Sequence, residues 1–332
     1  MNLQDRSDLL IRLGEYMQSA DEGWEAAKRR AGSENSWFIP EFVELAVQNI
    51  ADNFLQPAQL TSFIAKYNIQ QENNIPRKVG VVLAGNIPLV GFHDVMCIFL
   101  SGHQAIIKPS SKDPILIKHL IQKLTEWKAE VADLLVLQDM LKNCDAYIAT
   151  GSNNTSRYFD YYFEKYPHII RRNRTSVALL TGNETPAELE KLADDICQFF
   201  GLGCRNVTKL FVPKNYDFIP LLGALNKYSY LINHNKYKNN YDHNLAMHIL
   251  NNQYYMTNGS VLLIENSASF SPISQVHYEF YESLDAVEKD LKTHTDIQCV
   301  VGNGHTPFGE AQCPTVDTFA DGVNTMEFLL TL

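Results

Sequence analysis

The chain has no Cys-x-x-Cys pair, no Gly/Ser-rich linker, no internal repeat and no excess of positive charge. Its six cysteines, Cys97, Cys144, Cys197, Cys204, Cys299 and Cys313, are scattered over 332 residues. That density excludes a disulfide scaffold and suits reduced thiols. The longest apolar stretch, around Val95 to Leu100, is far shorter than the roughly 20 residues a membrane helix needs. The opening residues interleave acids with apolar side chains and show no signal-peptide core, so a cytoplasmic location is expected. Lys and Arg number 28 against 38 Asp and Glu, a net charge of -10. This excess of acid argues against a nucleic-acid partner while leaving room for a local basic site. What is present is 45% hydrophobic and 20% charged residues, enough to bury the cores of two medium domains.

Two rhythms run along the chain. Leu9, Leu10, Leu13 and Met17, and then Phe42, Val43, Ala46 and Ile50 after Pro40, have helical spacing. From Lys78 short apolar runs alternate with helical patterns. Val79 to Leu83, Ala105 to Lys108, Ala146 to Ala149, Val177 to Leu180 and Val207 to Val212 read as buried strands. Such alternation predicts an α/β fold with a parallel sheet covered on both faces. Thr185-Pro186-Ala187-Glu188 is a capping box opening a helix through Ile196. The expected organisation is a helical segment over 1–75, a Rossmann-like cofactor domain over 76–200 and a smaller catalytic α/β domain over 201–315. A C-terminal strand over 316–332, available for oligomerisation, completes it.

Four features carry chemistry at the carboxyl ends of these runs, where open α/β sheets place ligands. Asn86, in Gly85-Asn86-Ile87-Pro88, has an amide that can donate to a developing oxyanion. Lys108 leaves its strand into Pro109-Ser110-Ser111-Lys112, a cation and hydroxyls suited to ribose or phosphate. Gly151-Ser152 follows a strand and precedes a helix, a turn able to present backbone N–H groups to a pyrophosphate. Cys204, in Gly201-Leu202-Gly203-Cys204-Arg205-Asn206, combines a glycine-eased turn with an adjacent guanidinium that favours the thiolate. Taken singly, each has a plainer reading: a turn asparagine, a solvated lysine, a common Gly-Ser turn and a small buried cysteine. The cluster Arg171, Arg172, Asn173 and Arg174 reads as a solvated turn, with CoA phosphates as its functional alternative. The segment His234 to His243 lacks compact ligand spacing, so no metal is assigned.

In their order and spacing these segments resemble the aldehyde dehydrogenase superfamily. Gly85-Asn86-Ile87-Pro88 looks like its asparagine loop, and Ile107-Lys108-Pro109-Ser110-Ser111-Lys112 like its ribose-gripping segment. Thr150-Gly151-Ser152 resembles its nucleotide turn and Gly201-Leu202-Gly203-Cys204 its nucleophile segment. Phe280 to Val287 and Thr306-Pro307-Phe308-Gly309 resemble later motifs, and the likeness covers residues 76–330. Two departures refine it. Hydrolytic members carry a glutamate base in a strand that here reads Arg174-Thr175-Ser176-Val177-Ala178-Leu179-Leu180. Without that base, transfer to or from a thiol is the natural chemistry, as in the acylating branch and its fatty acyl-CoA reductases. The chain is also shorter than typical members.

The resemblance implies Cys204 and Asn86 as catalytic residues. It implies Lys108, Pro109, Ser110, Ser111, Gly151 and Ser152 as cofactor-binding residues. NAD-preferring members often place a carboxylate three residues after the lysine. Ser111 and Lys112 here favour a phosphate instead, hence NADPH (NADP). The expected function is reduction of a fatty acyl-CoA substrate to the aldehyde by a homo-oligomer. Alternatives on the same fold are an acyl phosphate reductase or an NAD-dependent aldehyde dehydrogenase. A nucleotide-binding scaffold without turnover is the alternative of a different class.

Overall fold

The computed structural model describes residues 1–151 and 153–332 and, of residues 153 and 154, the backbone alone. The chain forms two compact units, one of Met1–Asn173 with Pro314–Leu332 and the other of Arg174–Cys313. Among the described residues no helix is long and apolar enough to cross a membrane.

The first unit opens with four helices, α1 (Leu3–Met17), α2 (Glu22–Glu34), α3 (Pro40–Asn53) and α4 (Pro57–Tyr67). Asn2 and Asp21 cap the first two through their side chains, and proline occupies the first turn of the other two. Their apolar faces bury Leu13, Trp24, Phe42, Leu60 and Phe63. There follow β1 (Lys78–Val82), α5 (Phe92–Ser101), β2 (Gln104–Lys108), α6 (Ile115–Trp127), the single turn α7 (Val131–Leu134) and β3 (Leu135–Leu137). Then come β4 (Ala146–Thr150), α8 (Asn153–Phe163) and β5 (His168–Arg171). The sheet is parallel in the order β3-β2-β1-β4-β5. The chain therefore winds one way from β1 through β3 and the other way through β4 and β5. This reversal puts a topological switch point between the carboxyl ends of β1 and β4. Residues 138–145 join β3 to β4 without a helix. Leu141 and Cys144 from this link pack with Ile106, Tyr147 and Phe163 to cover that part of the sheet.

The second unit begins with β6 (Thr175–Leu179), followed by α9 (Pro186–Cys197), a short 3-10 turn over Gln198–Gly201 and β7 (Val207–Pro213). After α10 (Ile219–Leu225) and α11 (Asn235–Leu250) come β8 (Met256–Thr257), β9 (Leu262–Glu265), β10 (Gln275–Tyr281), α12 (Leu284–Leu291) and β11 (Ile297–Val301). Its sheet runs β11-β6-β7-β10-β9-β8 and is parallel except for β8 against β9. The capping box at Thr185 and Glu188 forms as its residue types demand.

Three expectations are corrected. The boundary falls at Asn173/Arg174, ahead of β6 and α9, which the sequence reading gave to the cofactor domain. A fully buried parallel strand has the same apolar pattern in either sheet, and only its pairing with β7 and β11 assigns it. The C-terminal strand is instead a helix, Thr325–Leu330, capped by the Asn324 side chain. Met326 and Leu329, three apart on one face, are buried in the core of the first unit with α5 residues. Arg171 is not in a solvated turn. It ends β5 and is 3% exposed. Its Nη2 donates to Asp94 Oδ1 at 2.7 Å and to Thr325 Oγ1 at 2.7 Å, and its Nε to Asp94 Oδ2 at 3.2 Å. Burial pushes the Asp94 carboxyl up, and the adjoining guanidinium outweighs this and holds it below its ordinary value. Arg171 is thus a structural ion-pair partner, buried away from the surface that a CoA phosphate would reach.

Candidate active site

In the first unit, the loops leaving β1 and β2 are fastened to each other. The Leu83 N–H donates to the Lys108 carbonyl at 3.1 Å, extending the ladder past the end of β1. Gly85 lies so close to the next loop that a Cβ would stand 2.7 Å from the Ser110 Cβ, so glycine is required there. Asp113 accepts the Leu89 N–H through Oδ2 at 2.7 Å, and Leu89 adopts a left-handed φ of 54°. Burial pushes the Asp113 carboxyl up to about 6. The half-buried Asn86 is therefore carried on a loop held at both shoulders. Beside it Pro109 and Ser110 are half-buried, while Lys108, Ser111 and Lys112 are exposed.

Gly151 ends the neighbouring β4, but its N–H donates to the Arg171 carbonyl at 3.2 Å. That donor belongs to the sheet, so what Gly151 offers a pyrophosphate is close approach of its backbone. Ser152 lies outside the described residues. A cavity of about 450 Å³ opens at the carboxyl ends of β2 and β3, lined by Pro109, Lys118, Leu137, Gln138, Asp139, Met140 and Lys142. Lys108, Lys118 and Lys142 form no ion pairs among the described residues. A cation at a strand end, hydroxyls and a part-apolar cavity with two lysines fit an anionic nucleotide.

In the second unit, Phe199, Phe200 and Gly201 take left-handed φ values of 53°, 58° and 73°. Both phenylalanine side chains are buried, which holds the backbone in a conformation that L residues disfavour. This reversal feeds the turn that presents the half-buried Cys204 ahead of β7. Asn206 is fully buried and supports the turn from within. Its Oδ1 accepts the Gly203 N–H at 2.8 Å, and its Nδ2 donates to the carbonyls of Asp195 at 3.0 Å and Gln198 at 2.8 Å. Ser176, on β6, donates through Oγ to the Cys204 carbonyl at 3.1 Å and lies 3.1 Å from Cys299 Sγ. β6 thus presents a hydroxyl already engaged with the Cys204 turn.

Arg205 Nη1 donates to the Ala311 carbonyl at 3.3 Å. Asp195, on α9 and fully buried, accepts the N–H groups of Gly309 at 2.7 Å and Ala311 at 2.9 Å. Burial raises its carboxyl to about 7, against the lowering effect of these two donors. Burial likewise pushes up the thiols of Cys97, Cys144, Cys197, Cys299 and Cys313, favouring their protonated forms.

Ser176, Asn206 and Asp195 escaped the sequence reading. Asp195 had a signal: it follows Leu189 and Leu192 at helical spacing, a carboxylate on an apolar face. Ser176 had none, because Cys204 and Cys299 are distant in the chain, and the burial of Asn206 beneath α9 leaves no local pattern. His234 caps α11 by accepting the Tyr237 N–H. Phe280 to Val287 does run from strand into helix, with Ser283 as cap.

The family model described as Acyl-CoA reductase (LuxC) matches residues 41–246, a span holding Asn86, Lys108, Gly151 and Cys204. A curated relative, the long-chain acyl-protein thioester reductase of Aliivibrio fischeri, is 25% identical over 149 residues, 39% of this chain and 30% of that protein. A second, long-chain acyl-protein thioester reductase 2 of Photobacterium leiognathi, is 24% identical over 166 residues, 44% of this chain and 35% of that protein. The match therefore spans about a third of each relative's length. Among solved structures, aldehyde dehydrogenase 21 from Physcomitrella patens, in complex with succinate, superposes with a TM-score of 0.70 at 12% identity, covering 100% of this chain and 84% of that one. An aldehyde dehydrogenase from Bacillus cereus in complex with NAD+ gives 0.63 at 13% identity, covering 89% and 70%. At such identities the likeness establishes the fold, that of the aldehyde dehydrogenases. The chain belongs to the acyl-CoA reductase (LuxC) family.

Proposed function

We propose that this protein reduces a long-chain acyl thioester to the aldehyde through a thioacyl intermediate on Cys204, with NADPH as reductant. The observation that carries the reading is the turn of Cys204. It is clamped by Ser176 and Asn206, lies within the span matched by the reductase family, and faces a β6 strand that offers no carboxylate to activate water.

The Cys204 thiolate attacks the thioester carbonyl carbon, forming a C–S bond and an oxyanion. The Asn86 amide and the Cys204 backbone N–H are the donors assigned to that oxyanion. Collapse expels the donor thiolate and leaves the acyl group on Cys204. With no carboxylate on β6 to activate water, the thioacyl group persists until it is reduced. The reduced nicotinamide, when bound, supplies the hydride to the acyl carbonyl carbon. Cys204 then departs as thiolate, releasing the aldehyde. Lys108, Pro109, Ser110 and Ser111 are assigned to the ribose and phosphates, with Gly151 and Ser152 at the pyrophosphate. The cavity lined by Lys118 and Lys142 suits an adenosine bearing an extra phosphate, which favours NADPH over NADH.

The donor is a CoA thioester in the first instance. The names of the curated relatives favour a second reading, in which the acyl group arrives on a protein thiol. Incubation with NADPH and either a long-chain acyl-CoA or a long-chain acylated carrier protein, following NADPH loss and aldehyde, tests both. Equimolar NADPH loss and aldehyde release are expected with acyl-CoA. Turnover with the acylated protein alone supports the second reading, and no turnover with either refutes the reductase.

A further inference from the structure

Around Cys204 the hydrogen bonds close into a ring. The Asp195 carboxylate accepts the Ala311 N–H at 2.9 Å, and the Ala311 carbonyl accepts from Arg205 at 3.3 Å. Arg205 is flanked by Cys204 and Asn206, and the Asn206 amide returns to the Asp195 carbonyl at 3.0 Å. Asp195 therefore grips both segments from the last turn of α9, the 306–311 loop with its side chain and the Cys204 turn with its backbone. Gly309, held by the second carboxylate oxygen at 2.7 Å, has a φ of 86°, a conformation open to glycine at little cost.

A bare structural role would be filled more cheaply by an apolar side chain. A carboxylate without a cationic ion-pair partner among the described residues costs desolvation free energy, and its raised titration, to about 7, reflects that cost. What the carboxylate adds is direction. Two N–H groups converge on it, which fixes Ala311 and, through the Ala311 carbonyl, the guanidinium of Arg205, the residue that follows Cys204.

We propose that Asp195 is a positioning residue for Cys204, tying the 306–311 loop to the Cys204 turn through Arg205 and Asn206 so that the thiol keeps one direction. This rests on Cys204 being the nucleophile. Misplacement of a reacting group by about 1 Å can cost on the order of 10²-fold in rate, which sets the scale of the expected effect.

The test is Asp195→Asn, isosteric and able to keep one of the two N–H bonds. Three quantities are read on the full chain: the rate of Cys204 alkylation by iodoacetamide, located by peptide mass spectrometry; kcat per active site titrated by acyl burst; and KM for NADPH. Alkylation and kcat should each fall about 10- to 100-fold while KM for NADPH changes less than about twofold. The Cys144 peptide, in the other unit, serves as an internal control. Unchanged alkylation and kcat in a folded variant would overturn the proposal. So would a loss that vanishes when rates are expressed per titrated site, since that marks a purely structural residue. Should the variant not fold, amide exchange in the wild type decides. Slow exchange at Gly309 and Ala311 is required, and exchange at open-chain rates refutes the clamp. A wild type that reduces no thioester, with alkylation still lowered in Asp195→Asn, would sink the reductase reading alone. Active wild type and equally active Asp195→Asn would sink the positioning role alone.

Discussion

In the first unit the side chains assigned to the ligand stand at strand ends with little of the protein touching them. Lys108, Ser111 and Lys112 are exposed. In the second, the turn of one half-buried cysteine is tied down by Ser176, Asn206 and Asp195, all fully buried. The difference follows from what each region is asked to do. A large anionic nucleotide brings its own partners, so exposed cations and hydroxyls at strand ends are completed by it. A nucleophile meets a small reacting carbon and gains only if its direction is fixed beforehand. The first unit invests its rigidity elsewhere, in the buried Arg171–Asp94–Thr325 cluster that joins β5, α5 and the C-terminal helix.

The contrast can be broken first at the nucleophile. Cys204→Ala should lower thioester reduction by at least about 10³-fold, measured as aldehyde formed, with NADPH binding intact by fluorescence titration. Next in size is the buried pair. Arg171→Met leaves the Asp94 carboxylate uncompensated and should cost about 3–5 kcal/mol of stability in urea unfolding, with Arg171→Met/Asp94→Leu recovering most of it. A loss below about 1 kcal/mol would show that the pair carries no such weight. Asn86→Ala, removing one donor to the oxyanion, should lower kcat about 10²-fold to 10³-fold with the Cys204 alkylation rate unchanged. Smallest is the effect at the exposed cations. Lys118→Ala/Lys142→Ala should lower the ratio of kcat/KM for NADPH to that for NADH by about tenfold, the discrimination expected of one charge-assisted phosphate contact.

The legible part of the molecule was what sequence neighbours decide. The strands around Val81, Ile107 and Ile148, the capping box at Thr185 and the glycine-flanked turn at Cys204 follow from local spacing and turn chemistry. Two short strands of the first unit were missed: Leu135–Leu137 is only three residues, and His168–Arg171 ends in a charge. That charge is buried because Asp94 and Thr325, far away in sequence, meet it, so Arg171 read as surface. Met326 to Leu332 has an apolar content that serves a strand or a helix, and the Asn324 cap decides for helix. The supports of Cys204 were hidden for the same reason as Arg171. Ser176 and Asp195 act across distances in the chain that no local pattern records.

The most direct measurement is mass spectrometry of the protein incubated with a long-chain acyl-CoA in the absence of reduced nucleotide. One acyl group should appear on the Cys204 peptide, and addition of NADPH should discharge it as aldehyde. Acylation of another cysteine, or no acylation while NADPH is still consumed, would contradict a thioacyl intermediate on Cys204.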